Sequence, residues 1–288
     1  MSKSKVYFIK DINSENIVKI YKELNTSLKE KVAVKVHSGE KGNQNYLRPE
    51  FLKDIINYVN GTVVECNTAY EGERNTTEKH KKLMEEHGWS NLYDVDILDE
   101  DGEIELDING GNIINKNYVG KNIDKYSSML VISHFKGHPM GGYGGALKNI
   151  SIGLASSYGK AYIHGAGNPK EIWTADHDLF LESMADACIS ITDYFKDNIA
   201  FINIMCNMSV DCDCCAKAED PCLSDIGILA SLDPVALDKA CIDLVYNSND
   251  PGKEHLIERI ESRNGTFTIE KAEEKNIGTT DYELIEIK

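Results

Sequence analysis

Apolar and polar positions along this chain follow two periods that take turns. Short, nearly continuous apolar runs at Val6–Ile9, Val32–Val36, Thr62–Glu65, Val95–Leu98, Met129–Ser133, Ile199–Met205 and Ile226–Ala230 predict strands. Between them the spacing becomes helical over Ser14–Glu30, Arg48–Asn60, Thr76–His87, Gly144–Ser157, Ile172–Phe195, Pro234–Tyr246 and Lys253–Arg263. Ile17, Ile20, Tyr21 and Leu24 mark one buried face, and Phe51, Leu52, Ile55, Ile56 and Val59 another. Pro49 and Pro234 sit where a first helical turn tolerates proline, and Asp233 is placed to cap the second of these helices. Asp101-Gly102 predicts a turn between Val95–Leu98 and Glu103–Ile108, while Phe267–Ile269 and Tyr282–Ile287 read as edge strands.

Strand–helix alternation over most of the length predicts the α/β class: a mostly parallel sheet with helices on both faces. A small antiparallel elaboration is expected near residues 95–120, within a single domain spanning 1–288. A formal charge of -16 argues against nucleic acid and anionic membrane surfaces, both of which reward clustered Lys and Arg. The short run Lys79–Lys82 falls on a predicted helix and reads as a solvated face. No apolar run approaches the roughly 18 residues a membrane helix needs, and Met1–Lys10 has no secretory pattern. The expectation is a soluble cytoplasmic protein.

A reducing compartment changes how the eight cysteines read, because clustered thiols there serve as metal ligands or redox groups more often than as disulfides. Five of them, Cys206, Cys212, Cys214, Cys215 and Cys222, fall in the short polar stretch 206–222 between two predicted strands. That stretch is too small for a core of its own, so a metal or cluster is one way to order it. Its C-x-C spacing is neither the ferredoxin pattern nor a zinc ribbon's paired C-x2-C, and the bland alternative is a loop of free thiols. Cys188 and Cys241 lie on apolar helical stripes and read as core; Cys66, ending a strand, reads equally as site wall or core.

In an open parallel sheet, ligands bind beyond the carboxyl ends of the strands. His37-Ser38-Gly39-Glu40, Cys66-Asn67-Thr68, His134-Phe135-Lys136-Gly137-His138 and the Cys206 stretch each follow a predicted strand. Gly141, Gly142, Gly144 and Gly145 then precede a helix, a pattern that lets backbone amides approach an anionic cofactor, with Lys136 and Lys148 adding charge. The loop is neither a phosphate-binding Walker A sequence nor a dinucleotide fingerprint, and its structural alternative is a turn packing a helix closely on the sheet. His134 and His138 are candidates for metal ligation, proton transfer or loop hydrogen bonds, and His164 is a further candidate for the same crevice.

Taken together, His134–Asn149, Gly159-Lys160, His164, Cys212-Asp213-Cys214 with Asp225–Asp238, and Asn67–Arg74 resemble the domain-of-unknown-function-362 family, described as uncharacterised iron–sulfur centre proteins. The matching segments run from about residue 32 to 246. The resemblance implies an iron–sulfur cluster, of the 4Fe-4S kind, with Cys212 and Cys214 in the family's cysteine motif. Three functions follow as expectations. The first is a redox or redox-sensing protein with its cluster on Cys212, Cys214 and Cys222 plus Cys206, Cys215 or a histidine, serving a redox partner protein. The second is a metal-assisted enzyme in which His134, Lys136, His138 and Lys148 handle a small anionic ligand. The third is a binding module built on structural zinc.

Overall fold

The structure, a computed structural model, describes residues 3–288. In chain order its elements are β1 (Ser4–Ile9), α1 (Ser14–Glu23), β2 (Val32–Lys35), α2 (Lys53–Val59), β3 (Gly61–Glu65), α3 (Thr77–Glu86), α4 (Trp89–Leu92) and β4 (Val95–Ile97). There follow β5 (Glu103–Asp107), β6 (Lys116–Gly120), β7 (Ser128–His134), β8 (Lys136–His138), β9 (Gly142–Gly144), α5 (Ala146–Ser151), α6 (Ser157–His164) and α7 (His177–Phe195). The chain closes with β10 (Ile199–Met205), β11 (Gly227–Ser231), α8 (Pro234–Tyr246), α9 (Lys253–Ser262), α10 (Phe267–Glu274) and β12 (Tyr282–Glu286).

Eight strands form one sheet in the order β12-β1-β11-β10-β7-β2-β3-β4. β10, β7, β2, β3 and β4 are mutually parallel, and β11 runs antiparallel to both its neighbours. This is the α/β fold that the strand–helix alternation predicts. Successive residues of the central strands serve opposite faces, as the two-residue period requires. Met129 and Val131 pack with α5, α7 and α8, whereas Leu130 and Ile132 pack with α1 and α2. No helix among the described residues is long and apolar enough to cross a membrane.

Several boundaries differ from expectation for identifiable reasons. The first helix stops at Glu23 rather than Glu30, with Asn25 in the left-handed region just beyond it. The helix expected over Gly144–Ser157 is two helices, because the Ser156 hydroxyl accepts the Gly159 amide and starts α6 afresh. Residues Glu103–Asp107 pair with Lys116–Gly120, not with Val95–Leu98; β4 instead joins the main sheet beside β3. Phe267–Ile269 opens a helix, not an edge strand: Glu270-Lys271-Ala272-Glu273-Glu274 are strong helix formers, and Ile269 and Ala272 bury one face. Tyr282–Glu286 is the edge strand expected, parallel to β1.

Candidate functional site

The carboxyl ends of the four adjacent parallel strands β10, β7, β2 and β3 lie side by side, so the residues that follow them meet. They border a cavity of about 520 Å³. His37 enters after β2, Cys66 after β3, and His134, Lys136 and His138 from the end of β7 through β8. Cys212 and Cys214 enter from the excursion after β10, and Lys148, Lys160 and His164 from α5 and α6. In this acidic chain the cavity wall carries the opposite sign. Lys35, Arg74, Lys136, Lys148, Lys160 and Arg263 line it, against the single carboxylate of Glu65.

The cysteine excursion is ordered by hydrogen bonds. The Asn43 side chain donates to Cys215 O at 2.8 Å, Gln44 to Ala218 O at 2.7 Å, and Asn45 to Glu219 O at 2.8 Å. Its centre is Asp213, only 1% exposed, whose carboxylate accepts from Lys136 Nζ at 2.9 Å and from His134 Nδ1 at 2.9 Å. Burial alone would raise this carboxyl, but His134, Lys136 and His37 hold it well below the usual carboxylate range. His134 Nε2 faces Cys206 O at 2.6 Å, so both ring nitrogens meet acceptors and both bonds form only when the ring is doubly protonated.

Beneath the cavity Glu65 binds Lys35 Nζ at 2.8 Å and the Ser38 amide at 2.9 Å. Burial would raise its carboxyl too, yet Lys35, His37, His80 and Arg74 together hold it far below its ordinary value. Arg74 Nε reaches Glu40 at 3.2 Å. Three of the lining cations, Lys35, Arg74 and Lys136, thus have a carboxylate behind them.

His138 Nε2 lies 3.8 Å from Cys214 Sγ, and His138, Cys212 and Cys214 place one ligand atom each within 4.8 Å of one another. This group could hold a metal ion. Burial, followed by Lys148, lowers the His138 pKa to about 4, so the ring is neutral. Its Nδ1 accepts the amides of Met140 at 3.1 Å and Gly141 at 2.8 Å, which puts the ring proton on Nε2, facing the sulfur. The Cys214 thiol beside it, together with burial, pushes Cys212 up to about 11.

The other thiols expected as ligands are placed differently. Cys222 Sγ contacts Met208 O at 3.4 Å, in the small bridge that closes the excursion. Cys206 and Cys215 lie outside the cavity lining, though Cys215 hydrogen-bonds Cys214, which lowers its pKa. Cys188 and Cys241 are core residues, as expected, and Cys66 is buried in the wall of the cavity with its thiol on Leu154 O at 3.3 Å.

The glycine-rich loop is a hairpin, β8–β9, followed by α5. The first two amides of α5, Ala146 and Leu147, donate to the buried Asp238 at 2.8 and 3.0 Å, so an internal carboxylate takes the place expected for an anionic cofactor. A Cβ on Gly145 would stand 2.5 Å from that carboxylate, and one on Gly142 2.7 Å from Gly265 Cα. Gly144 and Gly145 do border the cavity, Gly144 against Lys136, while Gly141 packs near His138. These contacts account for small residues here by close packing. Sequence reasoning passed over Lys35, Glu65 and Asp213; a lysine inside an apolar strand and an aspartate inside the C-x-C were the available signals.

An open α/β sheet whose strand ends gather thiols, imidazoles and ammonium groups around one cavity carries a candidate metal site. Residues 32–243 match the family model described as a domain of unknown function (DUF362), and the chain belongs to that family. No curated protein matches the sequence. Among solved structures it is similar to the lactate racemase apoprotein from Thermoanaerobacterium thermosaccharolyticum, at 15% identity and a TM-score of 0.50, over 83% of this chain and 56% of that one. A structural-genomics protein from Thermotoga maritima matches at 12% identity and a TM-score of 0.46, over 91% of this chain and 58% of that one. The chain therefore spans less than two thirds of either neighbour, and the likeness to the racemase apoprotein concerns the fold alone.

Proposed function

We propose that the chain is a metal-dependent enzyme in which His138, Cys212 and Cys214 hold a single ion beside a cavity that takes a small anionic substrate. The observation that carries this reading is the shared cavity: the two thiols, the candidate histidines and the lysines all border it. Two thiolates and an imidazole suit zinc or another borderline-to-soft ion. The ion would replace the proton on His138 Nε2 and supply Lewis-acid polarisation of a substrate oxygen.

The protein's own groups do the rest. The cations attract and orient the anion, and the low-dielectric wall strengthens each contact. His37 is neutral, its pKa driven far down by burial and then by Arg74, and its Nδ1 accepts the Gly39 amide at 3.1 Å. Its remaining nitrogen therefore carries a proton it can donate as a neutral hydrogen bond. The pair Lys136–Asp213 holds the loop between the two thiols.

A 4Fe-4S cluster asks for four thiolates, and the geometry supports two at one point; Cys206, Cys215 and Cys222 would have to turn inward. The redox reading is separated from ours by metal composition, and the structural-zinc reading by anion binding. Elemental analysis of anaerobically purified protein should give about one metal per chain without acid-labile sulfide, falling sharply in Cys212→Ser, Cys214→Ser and His138→Ala but not in Cys222→Ser. Several irons with sulfide would replace this reading by the cluster. Failure to retain zinc, iron, cobalt or nickel after reconstitution would end it. A zinc-loaded protein that binds no small anion would leave only the structural role.

A further inference from the structure

Half of the six cationic side chains around the cavity are already neutralised, and of the other three Arg263 is exposed. Lys35 is paired with Glu65, Arg74 with Glu40 and Lys136 with Asp213. Lys148 and Lys160 differ. Among the described residues neither has a carboxylate within 4.0 Å, and Lys160 Nζ is held only by the Ala155 carbonyl at 2.6 Å. Lys160 is 7% exposed, and burial lowers its pKa although Cys66, Asp99 and Glu65 act against this, so its ammonium has given up water without a contact ion pair. On the same helix, one turn on, stands His164. The spacing of four puts both side chains on one face of α6. The imidazole is stacked on Phe180, ring centroids 4.6 Å apart, and its Nδ1 is buried with no hydrogen-bond partner. Burial, then Lys148 and Lys160, push His164 down to about 3, and all three side chains line the same cavity. Two sheltered cations without a carboxylate partner and the His164 ring therefore border the same cavity.

We propose that Lys148, Lys160 and His164 form an oxyanion subsite, which takes the carboxylate or phosphate group of a small organic ligand bound in the cavity. The proposal sharpens the reading above by assigning the anion to these three residues. It needs no metal to be true. A planar or tetrahedral oxyanion is the ligand class that two ammonium donors and a ring N–H satisfy together, because it offers several acceptor lone pairs at one point. Lys35, Arg74 and Lys136 are weaker candidates, since each already holds a carboxylate. At the mouth of the same cavity stands Trp173, 64% exposed, its ring 6.5 Å from Tyr70. The other tryptophan, Trp89, is 0% exposed in the core. Ligand entry should therefore be visible in the emission of Trp173 alone.

The test uses the full chain freed of metal by chelator, so that loss of the subsite and absence of a metal are read independently. Acetate and inorganic phosphate are titrated separately, by calorimetry and by tryptophan emission, at constant ionic strength. One of them should saturate, and which one does so identifies the group as carboxylate or phosphate. Removing one charged donor should weaken that binding about ten- to a hundredfold in Lys148→Gln and in Lys160→Gln. Lys160→Arg should recover part of the loss, and the exposed Lys82→Gln should leave binding unchanged. Trp173→Phe should abolish the emission change while preserving the heat. Where a variant unfolds, amine acetylation of the wild type read by mass spectrometry decides: the bound anion should protect Lys148 and Lys160. The proposal is overturned if neither anion saturates, if the glutamine variants bind as the wild type does, or if the anion protects neither lysine.

Discussion

Replacing Asp213 by asparagine tests the central electrostatic argument about the site. The side chains differ little in volume, so packing is preserved and charge is removed. In the wild type this carboxylate, 1% exposed, sits 2.9 Å from both Lys136 Nζ and His134 Nδ1. Lys136 is itself buried and has no other carboxylate within 4.0 Å among the described residues. Asparagine would leave that ammonium uncompensated and offer it one carbonyl oxygen where two charged oxygens stood. Removing one partner of a buried pair costs about 3–5 kcal/mol, because the other charge remains desolvated. At about 2–4 °C per kcal/mol for a domain approaching this size, the melting temperature should fall by roughly 6–20 °C. Thermal and urea unfolding followed by circular dichroism measure this. The double variant Lys136→Met/Asp213→Asn removes the stranded charge, and should be more stable than the sum of the two single changes predicts by about 1 kcal/mol or more. A melting temperature within about 2 °C of wild type, or strict additivity in the cycle, would refute the claim that this carboxylate holds Lys136 and His134 in place.

Other expectations concern the surroundings of the site. His80 is buried neutral, its pKa lowered to about 3 by burial, while in the unfolded chain it titrates near 6.5. Its contribution is whole above about pH 6.5 and is lost as pH falls towards 3, at up to about 1.4 kcal/mol per pH unit; His80→Gln should flatten stability against pH in that window, and an unchanged slope would sink the assignment. Asn43→Ala removes the amide that holds Cys212 O and Cys215 O and the oxygen that accepts the Asn45 and Tyr46 amides. It should cost about 2–4 kcal/mol and speed hydrogen exchange across residues 212–219, which unaltered exchange would contradict.

Which parts of this arrangement were legible beforehand follows from what sequence periodicity encodes. Val32–Val36, Met129–Ser133 and Ile199–Met205 are apolar but for Lys35, Ser133 and Asn203 because both faces of those strands are covered, so their strand character and parallel setting could be read directly. Chemistry at their carboxyl ends followed by rule, and His37, His134 and Cys66 do stand there. Lys116–Gly120 escaped because Lys-Asn-Tyr-Val-Gly has too few apolar positions to show alternation, and its pairing with Glu103–Asp107 is a long-range fact. The three amides at 43–45 looked like an ordinary polar loop; that they tie down a stretch about 170 residues away could come only from coordinates. The same holds for Asp238, distant in sequence from the helix amides it caps and decisive for reading the glycines above it.

The direction of the two thiols has a cause of the same kind. In an irregular segment nothing local decides which way Cys212 and Cys214 face. Asp213 decides it from between them. Its carboxylate is tied to Lys136 and His134, two residues of the cavity wall, and its carbonyl accepts the Glu40 amide at 2.8 Å. With the middle residue fixed, the turn closed by the Cys215 amide on Cys212 O at 2.9 Å carries both neighbours to the cavity wall beside His138. A buried ion pair is weak evidence for stability, but it can select one arrangement among several. Here the arrangement it selects is the one that brings two sulfurs and an imidazole together, so a neutral residue between the cysteines should disperse them even where the fold survives.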